Sequence, residues 1–215
     1  MVSKRLTFIV IAVLLTTWAL GQIKPVQRGY LFRLKFAKGK LYTFLAPTKV
    51  SGLSGTPLNL KLKIYAKVLK INHGNTTLKG TIVSPMGFGG KGNSKTKTMV
   101  INSRGQLVGS HSSLSGFTVS YPIHPLRKGQ SFLSAVPSGI GKSETVIATF
   151  KFEGFKTYMG HKVAILAFRC QNKDQPHGMM LISCQDGILD TYTSHFLYQP
   201  GTGASLSVFT KISRV

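Results

Sequence analysis

Residues 58–68 restrict this chain more than any other segment. Leu58, Leu60, Leu62, Ile64, Ala66 and Val68 alternate there with Asn59, Lys61, Lys63, Tyr65 and Lys67. Successive side chains on an extended backbone point to opposite faces, so a strand buries the apolar set and keeps the lysines wet. A helix would scatter the same lysines around its circumference. A long, half-buried strand is expected, and it needs a sheet to lie in.

Other segments supply that sheet. Tyr30, Phe32, Leu34 and Phe36 alternate with Leu31, Arg33 and Lys35. Ala37-Lys38-Gly39-Lys40 then reads as a turn, with residues 41–45 as the returning strand. His73-Gly74-Asn75 closes a hairpin into residues 76–83, which are rich in β-branched side chains. Asn102-Ser103-Arg104-Gly105 reads as a second hairpin turn between residues 99–101 and 107–109. Residues 87–94 read as a mobile glycine-rich loop. The stretch from Ser110 through Pro122-Ile123-His124-Pro125 to Phe132 reads as irregular structure or a short helical turn. Strands are expected again at 144–153, 162–170, 179–184, 188–193 and 206–212. With no internal repeat, linker or long amphipathic helix, the expected fold is all-β and mainly antiparallel: a single meander sheet curled into a barrel or half-barrel, with at most one or two short helices.

The start of the chain reads as a processing segment. Lys4 and Arg5 precede the apolar residues 6–15, and Ala19 and Gly21 supply small side chains for cleavage before Gln22. Residues 1–21 are thus expected to be a signal peptide and residues 22–215 a single β-rich domain, secreted or held in the periplasm or cell envelope. An uncleaved anchor helix is the alternative, but its apolar run falls short of the ~20 residues a span requires. In an oxidising compartment Cys170 and Cys184 are expected to pair as a disulfide, two buried free thiols being the alternative.

Charge narrows the partners. There are 28 lysines and arginines against 5 aspartates and glutamates, a formal net charge of +23. Such a field draws lipid headgroups, acidic polymers or a membrane surface, with no sign of specific nucleic-acid recognition. The alternate spacing of the lysines also suits a plain solvated face.

Catalytic chemistry finds little material. The carboxylates are Glu144, Glu153, Asp174, Asp186 and Asp190, and the histidines at 73, 111, 124, 161, 177 and 195 stand singly. No metal-ligand spacing and no Gly-x-Ser-x-Gly elbow occurs. Ser138-Gly139-Ile140-Gly141-Lys142-Ser143 ends like a phosphate-binding loop, but Val136 stands where that motif needs glycine, and no βαβ unit surrounds it. No enzyme, cofactor or metal is expected. A hydrolase would need Ser or His beside Asp186, Asp190, Glu144 or Glu153 in a cleft.

Two binding modes remain. In one, an apolar or anionic-amphipathic ligand lies against strand aromatics such as Phe150 and Phe152, with Lys61, Lys63, Tyr65 and Lys67 at its headgroup. In the other, a structural or adhesive protein binds acidic polymer or membrane surface through charge alone. The order of Gly29-Tyr30-x-Phe32-x-Leu34, then Lys128-Gly129-Gln130-Ser131-Phe132, then Tyr158-Met159-Gly160-His161-Lys162-Val163-Ala164-Ile165-Leu166 resembles uncharacterised secreted bacterial β-rich proteins. These are similar in plan to the lipoprotein-carrier type, whose incomplete β-barrel holds lipid. The resemblance implies such a half-barrel and a lipid ligand; the high basic charge departs from it.

Overall fold

A computed structural model describes residues 21–52, 57–84, 93–109, 120–137, 145–172, 174–185, 189–198 and 205–215. Residues 1–20 of the expected signal peptide, most of the glycine-rich loop, residues 110–119 with His111, the Gly-Lys-Ser sequence, Glu144 and Asp186 lie outside them.

The described strands are β1 (Gly21–Val26), β2 (Gly29–Leu34), β3 (Leu41–Ser51), β4 (Leu58–Asn72), β5 (Asn75–Ser84), β6 (Asn93–Ile101), β7 (Ser131–Pro137), β8 (Thr145–Tyr158), β9 (His161–Cys170), β10 (His177–Ser183), β11 (Leu189–Tyr198) and β12 (Leu206–Arg214). No described residue is helical. β4 behaves as its alternation requires: Leu62, Ile64, Ala66 and Val68 are buried while Lys61, Lys63 and Lys67 are exposed. At its end His73 and Gly74 both take positive φ, 46° and 79°, the geometry of a tight two-residue hairpin turn.

Ten strands form one antiparallel sheet in the order β6-β5-β4-β3-β12-β11-β10-β9-β8-β7. Instead of one meander, this is two, β3 to β6 and β7 to β12, joined where the early β3 pairs with the last strand β12. The sheet is curled but open. Among the described residues β6 and β7 are its edges, with no ladder between them. The half-closed form is therefore the one found, and β7 occupies part of the stretch expected to be irregular.

A second layer covers the inner face. β2 pairs with β1 and not with β3 as the turn at Ala37 suggested. The physical reason lies in that turn: Gly39 N donates to Val68 O and Val68 N donates to Lys40 O, so β4 takes up the chain as it leaves the hairpin. Ile23, Phe32 and Leu34 from the hairpin join the same core as Phe44, Ile64, Leu166 and Ile212 from the sheet. Tyr30 and Leu126 exchange backbone hydrogen bonds of 2.8 and 2.9 Å. Arg33 donates to the carbonyls of Phe32, Pro122 and Ile123, clipping β2 to the segment that leads toward β7. The expected hairpin at Asn102 contracts to one bridge, Ile101 to Leu107, with Asn102 Oδ1 accepting from the N–H groups of Arg104 and Gln106.

Candidate functional site

The register of β3, β4, β5 and β12 assembles the basic side chains. Across β4, Lys61 stands opposite Pro47, Lys63 opposite Leu45 and Val83, Tyr65 opposite Thr43 and Thr81, and Lys67 opposite Leu41 and Lys79. Lys49 of β3 stands opposite Asn59 and Phe209, and Lys211 lies two positions beyond Phe209 on β12. Lys49, Lys61, Lys63, Lys67, Lys79 and Lys211 are exposed and Tyr65 is half-buried. Since the opposite parity of the same strands is buried, these groups share the outer face. β3, β4, β5, β6 and β12 contain no aspartate or glutamate. Lys67 and Lys79 are direct cross-strand partners, an arrangement that like charges disfavour.

Phe150 and Phe152 stand elsewhere. Both are buried. Phe150 stacks between Phe132 and Phe168, with centroids 5.2 and 5.4 Å away. Phe152 packs edge-on against Tyr30, Phe32 and Phe155 at 5.8, 5.3 and 5.2 Å. The structure thus brings Lys61, Lys63, Tyr65 and Lys67 together and separates them from the phenylalanine pair, whose rings other rings of the chain already cover. A lysine rim around Phe150 and Phe152 does not form, because the two sets lie on opposite faces of the sheet.

The disulfide is corrected as well. Cys170 ends β9, whereas Cys184 N bonds Lys162 O near that strand's beginning. At ~3.3 Å per residue the two cysteines are roughly 26 Å apart along the hairpin, far beyond the ~7 Å between Cα atoms that a disulfide tolerates. Both are free. Burial raises both thiols, Cys170 to about 11, so neither is a ready thiolate.

Two histidine associations were invisible in sequence. His161 Nε2 lies 2.7 Å from Asp190 Oδ2 and its Nδ1 lies 3.2 Å from Met159 O. Arg214 Nη1 stands 3.8 Å from the other Asp190 oxygen. This places a histidine beside Asp190, as the hydrolase reading required. Both imidazole nitrogens face acceptors, however, an arrangement that favours the protonated ring, in which each nitrogen donates. The hydrogen bond to Asp190 raises its pKa, against a smaller lowering by burial. Through Asp190 the ring links β9 to β11 and to the end of β12. His177 and His195 meet across β10 and β11 with ring centroids 5.3 Å apart. Among the described residues no three histidine, cysteine, aspartate or glutamate side chains are grouped to hold a metal ion.

The basic face had one sequence signal beyond the alternation of β4: all five acidic residues fall between Glu144 and Asp190. The chain before them therefore contributes only positive and neutral side chains to the sheet.

No family model matches the chain, and no curated protein matches it. Among solved structures, it is similar to a DUF1329 family protein from Desulfovibrio piger ATCC 29098. Identity is 10%, covering 82% of this chain and 84% of that one, with a TM-score of 0.25. It is also similar to a LolA superfamily protein from Nitrosomonas europaea, at 9% identity over 84% of this chain and 88% of that one, again with a TM-score of 0.25. The likeness is weak and to β-rich chains, and it carries no site residue across.

Proposed function

We propose that this chain is an exported, non-catalytic binding protein whose outer sheet face takes up anionic matter through Lys49, Lys61, Lys63, Lys67, Lys79 and Lys211, with Tyr65 among them. The supporting observation is the gathering of six exposed lysines on strands without a carboxylate, including the opposed pair Lys67 and Lys79. Like charges placed directly opposite weaken a sheet, and an anion between them relieves the repulsion. A solvated face needs charge for solubility, but it has no need to exclude every acid.

The test separates this face from net charge. A variant with Lys61, Lys63 and Lys67 changed to Gln is compared with one in which Lys24, Lys35 and Lys38, all exposed elsewhere, are changed to Gln. Both lose the same charge. On a polyanion column the first should elute at clearly lower salt than the second, because contacts at the bound surface set the salt dependence. Equal shifts would sink the reading.

A further inference from the structure

We infer that the anionic partner of this face is a lipid bilayer surface. The inference rests on the reading above and goes beyond it, because charge is only half of what the face presents. Leu41, Leu45 and Phe209 are 54, 38 and 44% exposed. Each stands directly opposite a lysine: Leu41 to Lys67, Leu45 to Lys63, and Phe209 to Lys49. Leu197 of β11 is also exposed, one register step diagonal from Phe209.

A dissolved polymer of phosphates or carboxylates would engage the ammonium groups and leave these side chains in water. A bilayer surface offers both chemistries at the right depths. Its phosphates accept from lysine, and the boundary with the acyl chains, ~5–10 Å further in, takes up leucine and phenylalanine. Isolated exposed leucines on a protein need no explanation. Here apolar and cationic side chains alternate in register over three adjacent strands. The outer face of β7 and β8 provides a contrast: Leu133 and Ile147 are more exposed than Phe209, but the nearby Lys151 is paired with Glu153 at 2.9 Å.

The experiment uses the protein as an expressing host delivers it, and vesicles of phosphatidylglycerol mixed with phosphatidylcholine or of phosphatidylcholine alone. Wild type should sediment with the anionic vesicles and not with the zwitterionic ones. Changing Leu41, Leu45 and Phe209 together to Ser should weaken vesicle binding roughly tenfold or more while leaving elution from the polyanion column unchanged. Changing Leu133 and Ile147 to Ser should alter neither, which also controls for general effects of exposed serine. Wild type that binds the column but ignores anionic vesicles overturns the lipid inference and leaves the anion-binding reading standing, with a soluble polymer as the partner. The same holds if the triple variant sediments like wild type. Failure on both column and vesicles removes both.

Discussion

Gly178 shows how one position governs its surroundings. It sits on β10 between Phe168 and Ser194 in register, and Phe168 and Tyr192 face each other across that strand, 5.6 Å apart and 9° from parallel. A Cβ at this position would strike the Thr193 carbonyl, a backbone atom that cannot swing away. Gly178→Ala should therefore cost about 1–3 kcal/mol in urea unfolding. His161 gives a pH signature. Its pKa is raised above the ordinary 6.5 chiefly by the hydrogen bond it donates to Asp190, so its stabilising contribution is complete below that value and is lost as pH rises through the raised one. The melting temperature of Asp190→Asn should lie further below wild type at pH 6 than at pH 8.5; a constant gap would show that the imidazolium contributes nothing. For the cysteines, alkylation in denaturant without reductant should add two groups per chain, and a protein that accepts none would restore the disulfide.

Elements differ in how far local sequence determines them. In β8, Phe150 lies within a ring stack that crosses β7, β8 and β9. Phe150→Ala should cost about 3–5 kcal/mol, whereas Phe209→Ser on the outer face of β12 should cost less than ~1; similar losses would mean that Phe209 is a core residue. β4 and its hairpin into β5 were legible because alternation and a His-Gly turn are local signals. Pairing was less so. Nothing in Tyr30-x-Phe32-x-Leu34 distinguishes a partner before it from one after it, and β1 is short, carries Pro25 and begins at the residue that reads as a cleavage site. The cysteines misled for the same reason, since their spacing contains no register; the placement of His177 opposite Arg169 sends them to opposite ends of the hairpin. On the face itself, Lys61, Lys63, Tyr65 and Lys67 were readable from parity. Lys49, Lys79, Lys211 and Phe209 required knowledge of which strands flank β4 and β3.

The molecule as a whole carries its charge unevenly across the sheet. Strands β3, β4, β5, β6 and β12 contain no acid, while Glu153 and Asp190 belong to β8 and β11. A net charge of +23 makes the folded state repel itself, most strongly where Lys67 opposes Lys79. Added salt shortens the screening length from ~10 Å near ~0.1 M to ~3 Å near ~1 M, so the melting temperature should rise with salt. Relieving the opposed pair should do locally what salt does globally. Taking ~0.2–1 kcal/mol for a cross-strand charge pair and ~2–4 °C per kcal/mol for a domain of this size, Lys67→Gln should melt about 0.4–4 °C higher than wild type in low salt and show a smaller gain on adding salt. The same substitution should loosen binding to anionic vesicles and to the column. A variant that melts higher and binds less well would mark Lys67 as a residue kept for its partner at the expense of the fold, whereas one that melts lower would make that lysine a structural member of the sheet.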